Sequence, residues 1–143
     1  MRRLQALLLG LCALLFAAGC GEGGAASGAT VSVYMAAPLC GQASGGRAGD
    51  LEVRLVCLAP VEKGGKVDLA AAGANARRAT EDSTAVAYVE APGRAANFGQ
   101  SIVESANLAW IETDSGSAAM RRILNALEGD SSSPRQAVLD EVG

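Results

Sequence analysis

Histidine is absent from the 143-residue chain. Its absence excludes His-dependent nucleophile triads, His-ligated zinc and the commonest general base. Aromatic residues are scarce, with two Tyr, two Phe and one Trp. Half of the residues are apolar, but many of these are alanines that each bury little area, so the sequence predicts a modest core. Positive charge is also in short supply. The formal net charge is -3, and losing Arg2 and Arg3 with a leader would take it to -5. No Lys/Arg stripe remains, so nucleic acid is not an expected partner. The length leaves room for one domain.

What is present begins with "MRRLQALLLGLCALLFAAGC". Arg2 and Arg3 precede an uncharged run from Leu4 to Ala18, broken only by Gln5. About 15 apolar residues are short for a membrane span and suit a secretory leader. Ala17, Ala18 and Gly19 stand directly before Cys20, and "AAGC" resembles the lipobox of bacterial lipoproteins. That resemblance implies a signal peptide over residues 1–19, cleaved before a Cys20 that carries diacylglycerol and acyl chains such as palmitate. The protein would then be exported by the general secretory route and held by lipid on the extracytoplasmic face of the cell membrane. An ordinary signal peptide with a chance cysteine, or an uncleaved anchor, is the alternative. Residues 20–29 ("CGEGGAASGA") are rich in Gly, Ala and Ser and read as a flexible tether. Residues 30–143 are left for a single α/β domain.

Within that domain, "TVSVYMAAPL" (30–39), "DLEVRLVCLAP" (50–60), "STAVAYVEA" (83–91) and "LAWIET" (108–113) read as strands. The second alternates Leu51, Val53, Leu55 and Cys57 with Glu52, Arg54 and Val56, as at a sheet edge with one covered face. The third is almost continuously apolar, as at the buried centre of a parallel sheet. Helices are expected over 67–82, capped by Asp68, and over 95–107, with Phe98, Ile102, Val103 and Ala106 inward. Leu69, Ala72, Gly73, Ala76 and Ala79 form the inner side of the first of these. Two more are expected, over 117–129, ended by Gly129, and over 133–142. The last opens with Ser133, Pro134 and Gln136 as a capping box. Long crossovers holding one helix each argue for a parallel sheet. Between the first two strands, "CGQASGGRAG" is too short for a crossover helix. Either these strands pair antiparallel, or a helix is missing.

The stretches "VYMAAPLCG", "GGRAGDLEVRLVCL" and "ANARRATEDSTAVAYVEAPGRAANFGQSIVESANLAWIETD" resemble, in order and register, the amino-terminal lobe of type 1 periplasmic solute-binding proteins. These are the leucine/isoleucine/valine-binding components of ABC uptake systems. "AAMRRILNALEGDSSSPRQAVLDEV" is similar to the carboxy-terminal stretch that returns to that lobe. The resemblance covers about residues 30–142 and implies a three-layer sandwich with a four-stranded, mainly parallel sheet in order 2-1-3-4. Its departures are a missing helix after the first strand and a missing second lobe. It implies an amino-acid or other small polar solute as ligand and an ABC permease as partner, with binding weak or lost because one lobe cannot enclose a solute.

Carried over by position, the resemblance places ligand contacts at Ala36 and Ala37, at Glu90 and Arg94, and at Glu112, Thr113 and Asp114. The carboxylates there suit a cationic or polar ligand better than leucine, and Arg94 could pair with a carboxylate. Solvated loop charges are the plain alternative. Glu112 and Asp114 share a side of a strand, but nothing else supplies a nucleophile or metal ligands. Neither catalysis, a metal nor a cofactor is expected. Cys40 and Cys57 lie near the ends of the first two strands and could form a disulfide outside the cytoplasm, or stay unpaired. Cys12 belongs to the leader, and Trp110 reads as core. The rival to solute binding is a non-catalytic structural or interaction lipoprotein. It would dimerise or dock a partner through the sheet face that the missing helix leaves bare.

Overall fold

Two runs, VSVYM and AVAYVE, are buried along their whole length and form the middle of the sheet. A computed structural model describes residues 29–129 and 132–142. The leader, Cys20 and most of the tether lie outside the described residues. In chain order the elements are β1 (Thr30–Met35), α1 (Ala37–Cys40), β2 (Gly46–Ala48), β3 (Leu51–Cys57), β4 (Glu62–Lys63), β5 (Lys66–Val67), α2 (Leu69–Glu81), β6 (Ala85–Glu90), α3 (Arg94–Ser105), β7 (Ala109–Glu112), α4 (Gly116–Gly129) and α5 (Pro134–Val142).

The fold is α/β, with a mostly parallel five-stranded sheet in the order β2-β3-β1-β6-β7, flanked by helices. This differs from the expected four strands in order 2-1-3-4. The addition is β2, from within the glycine-rich stretch, which turns back antiparallel onto β3. A two-residue turn makes this possible, because Ala48 pairs with Leu51 and Gly49 takes a φ of +57° that favours glycine. The alternative of antiparallel pairing between the first two predicted strands does not occur. β1 and β3 run parallel, from Thr30 opposite Glu52 to Met35 opposite Cys57. β4 and β5 form a separate hairpin turned by Gly64 and Gly65, both with positive φ.

One face of the sheet carries Val31, Val33, Met35, Val53, Val89 and Ile111 against Met120, Ile123 and Leu127 of α4 and Val138 of α5. The other sets Tyr34 and Tyr88 against Ala76, Ala79 and Val103 of α2 and α3. Small residues let α2 and α3 approach each other and the sheet; an ideal Cβ on Gly99 would lie 3.6 Å from the Trp110 ring and 3.9 Å from Ala76 Cβ. Trp110 itself stacks on Tyr88, with ring centroids 5.2 Å apart and planes 9° from parallel.

The missing crossover helix does not leave an apolar face bare. Only the short α1 follows β1, and α4 packs into the space. Gly116 lies against the Leu39 carbonyl and Met35 Sδ, and Leu124 lies beside Gly46. The open part of the sheet is the other side of β3, where Glu52 and Arg54 are exposed and Val56 is half-buried. Two expected core positions face water instead: Leu69 is 49 % exposed and Phe98 is 43 % exposed. The reason for Phe98 is local: its ring edge lies over Gly73 and beside Arg77, across the outside of the α2–α3 pair. Asp68 caps α2 as expected, accepting from Ala71 N–H at 3.0 Å. Gln136 points along α5 to Asp140 at 2.7 Å, not back toward Ser133.

A polar knot fastens the strands at their amino end. Asp82 accepts from the Thr84 hydroxyl (2.7 Å), the Thr84 N–H (2.8 Å) and the Tyr34 hydroxyl (2.8 Å). Arg54 donates to Ser32 Oγ at 2.9 Å, and the Ser32 and Thr84 hydroxyls bond at 2.8 Å. The Thr84 hydroxyl bond, helped by the other donors, outweighs partial burial and holds the Asp82 carboxyl down at about 2. A carboxyl depressed in the folded state stabilises above its unfolded pKa, and that stability drains away as pH falls through the folded value. The Asp82 side chain retains 19 % exposure, so the contribution is about 1–2 kcal/mol after allowing for screening. Stability is therefore expected to fall between about pH 4 and pH 2. Asp82→Asn should flatten that part of a urea-denaturation pH series; an unchanged slope would remove the assignment.

Candidate functional site

Order in this sheet changes direction between β1 and β6. From β1 the chain moves outward to β3, and from β6 it moves the opposite way to β7. The loops leaving the carboxyl ends of such neighbours part and leave a crevice. A cleft of about 260 Å³ lies there. Its walls are the loop after β1 (Ala36, Ala37, Pro38), the loop after β3 (Ala59, Pro60, Val61) and the loop after β6 (Ala91, Pro92, Gly93). Glu62 of the hairpin, Asn75 of α2, Glu90 and Ala95 complete it.

The three loops are tied together by their backbones. Ala36 N–H donates to the Val89 carbonyl at 2.8 Å, and Leu58 N–H donates to the Met35 carbonyl at 2.9 Å. Three of the chain's four prolines, Pro38, Pro60 and Pro92, stand in this wall and fix φ in each loop. Cys40, at the end of α1, is disulfide-bonded to Cys57, at the end of β3, with a Cα separation of 5.7 Å. The bond joins the elements that carry the first two loops. Of the alternatives left open by the sequence, pairing is the one present.

Glu90 and Asn75 supply the buried polarity. Glu90 is 5 % exposed, although it ends a strand. Burial pushes its carboxyl above the ordinary range. The Ala91 N–H on Oε1 at 3.0 Å and a long Tyr88 hydroxyl contact at 3.5 Å act the other way, and nearby Glu112 adds to the rise. Tyr88, buried beneath it, is itself pushed far up by desolvation. Asn75 is 6 % exposed, and its Nδ2 donates to the Ala59 carbonyl at 2.8 Å. No described residue donates to its Oδ1.

Ala36, Ala37 and Glu90 are the sequence-predicted residues that the structure brings together at the cleft. Arg94 does not join them. It is exposed at the start of α3 and lines a neighbouring depression with Glu62, Lys66 and Leu69. Glu112 pairs in register with Glu90 across β6 and β7 but is exposed. Thr113 donates its N–H to the Glu90 carbonyl at 3.0 Å, and its hydroxyl accepts from Ser115 N–H. Asp114 is exposed in the turn before α4. Those three build the β7–α4 turn; they do not line the cleft. No protein family, characterised protein or solved structure matches this chain.

Asn75 was not among the residues expected from sequence. Its signal was a lone amide beside Ala72, Ala76 and Ala79 on the buried side of a helix, where an unpaired polar group is costly. Among the described residues, no three His, Cys, Asp or Glu side chains converge to hold a metal ion, and no helix is long and apolar enough to cross a membrane.

Proposed function

We propose that this chain is a lipid-anchored, extracytoplasmic domain resembling the amino-acid-binding component of ABC uptake systems. It is reduced to one lobe, has no catalytic role, and holds a small solute weakly. The observation that carries the reading is the location of the cleft. It opens where the strand order reverses, at the carboxyl ends of β1 and β6, and it includes Ala36, Ala37 and Glu90. One wall set is all this domain supplies, so a bound solute keeps a face in water and affinity stays low. Among the described residues the sheet offers no bare apolar face to favour the docking alternative, since the open side of β3 carries Glu52 and Arg54.

The test is thermal melting of the full chain in detergent against a panel of small polar solutes, amino acids and amines. A solute present at tenfold over its Kd should raise Tm by about 5 °C. The mass of the amino-terminal peptide from expressing cells should show acylated Cys20, and Cys20→Ala should release the chain from membranes. Solutes that leave Tm and the amide spectrum of the cleft unchanged would remove the binding half of the reading. A soluble, unacylated wild type would remove the anchor.

A further inference from the structure

Resting on that reading, we infer that the cleft is a subsite for a compact primary ammonium group, anchored by the Glu90 carboxylate and the Asn75 side-chain oxygen. Three observations converge. Among the described residues, every charged side chain in the cleft wall is a carboxylate, Glu62 or Glu90, and no Lys or Arg lines it. Lys66 and Arg94 line a neighbouring depression that shares Glu62. The second observation is Asn75. Its Nδ2 is committed to the Ala59 carbonyl, which fixes the amide orientation and leaves Oδ1 as an acceptor without a donor. No buried side-chain atom among the described residues lacks a partner, so this oxygen keeps contact with solvent in the cavity wall, where a ligand that brings N–H groups can take the place of water.

The third observation is what surrounds these acceptors. Ala36, Ala37, Pro38, Ala59, Pro60 and Ala91 are short or ring-closed apolar residues, and no aromatic side chain lines the cleft. Quaternary ammonium ions are recognised on aromatic faces, without N–H donors. This wall lacks the faces and offers acceptors instead, so it selects an ammonium that carries hydrogens. The cavity of about 260 Å³ is below the usual range of roughly 300–1,000 Å³ for drug-sized ligands. It suits a short alkyl or similarly small body packed on alanine and proline. The amino end of α3 opens toward Gly93 and Ala95 and carries a fractional positive charge. Burial alone disfavours the charged form of Glu90, a bound ammonium favours it, and the full charge so held outweighs a fractional dipole end.

The test is ¹⁵N amide titration of the full chain in detergent at pH 8, using butylamine, butyrate, butanol and tetramethylammonium as probes. Butylamine should shift Glu90, Ala91 and Asn75 and bind at least tenfold tighter than the other three. Glu90→Gln keeps the shape and the acceptor for Ala91 N–H, so it should fold with the same spectrum yet bind butylamine at least tenfold more weakly. Butyrate, butanol or tetramethylammonium binding in the cleft as tightly as butylamine would overturn the ammonium assignment and leave solute binding standing. Undiminished butylamine binding by Glu90→Gln would overturn that assignment equally. Absence of cleft shifts with every probe, and with the wider solute panel, would overturn both. Because the comparison among probes needs only the wild-type chain, a Glu90→Gln protein that failed to fold would not blunt the test.

Discussion

Reducing the Cys40–Cys57 disulfide is expected to lower the stability of the domain by about 3 kcal/mol, because the bond closes a loop with a sequence separation of 17. For a domain of this size that is a drop of roughly 10–15 °C in Tm. The loop it closes contains the glycine-rich stretch and β2, the least locally determined part of the sheet. Without the cross-link, the unfolded chain gains freedom that the folded chain cannot recover. The same bond holds the end of α1 to the end of β3, and the residues on either side of it, Ala36–Pro38 and Ala59–Val61, are two walls of the cleft. If the cleft holds a solute as proposed, reduction should weaken that binding before the domain melts. The measurement is melting and amide titration of the full chain with and without reductant, repeated on the double variant Cys40→Ala/Cys57→Ala. Equal midpoints in all four samples would mean that the bond does not form in solution.

Leu127→Ala is the second large effect. Leu127 is fully buried on α4 in the cluster with Met120, Ile123 and Val138. Truncating a buried leucine costs about 2–5 kcal/mol, depending on how far the neighbours collapse into the space. The cluster it belongs to is rich in alanines, among them Ala48, Ala87 and Ala109, which have no length with which to refill a cavity. The cost should thus lie near the upper end, about 3–4 kcal/mol by urea denaturation. Leu69→Ala is the matched control, since Leu69 is largely exposed; it should change stability by no more than about 0.5 kcal/mol. Similar effects for the two variants would contradict the packing of α4 on the sheet.

These expectations draw on features that differ in how openly the chain declares them. The four parallel strands and the four longer helices were legible from their apolar runs and spacings, such as AVAYVE and Met120, Ile123 and Leu127, and in the last helix from Ser133 and Pro134 at its start. The fifth strand was not. β2 is three residues of Gly, Arg and Ala, without side chains that declare a strand, and it exists because β3 offers an edge and Gly49 permits the turn. The β4–β5 hairpin had a signal in the adjacent Gly64 and Gly65, which supply the positive φ values of a tight turn. Leu69 and Phe98 fit their helical stripes yet lie outside, because periodicity gives a direction and not the distance to the next layer.

The site divides in the same way. The family resemblance places ligand contacts at strand ends, and of the residues it implies, Ala36, Ala37 and Glu90 stand in the cleft wall. Arg94, Glu112, Thr113 and Asp114 satisfy the same rule of position but are turned elsewhere. Thr113 is used in the turn, and Arg94 points to the hairpin depression. Asn75 escaped because it comes from a different element, brought to the cleft only by the packing of α2 on β1 and β6.

The order in which the chain supplies its layers has a consequence for biogenesis. Residues 30–112 contain every described strand, α2 and α3 on one side and only the one-turn α1 on the other, so most of the face formed by Val31, Val33, Met35, Val53, Val89 and Ile111 stays uncovered until α4 and α5 have emerged. A nascent chain still missing its last thirty or so residues is an unlidded hydrophobic plate, unable to complete its fold. Such a chain stays unfolded late into synthesis and for the same interval presents an apolar surface open to aggregation.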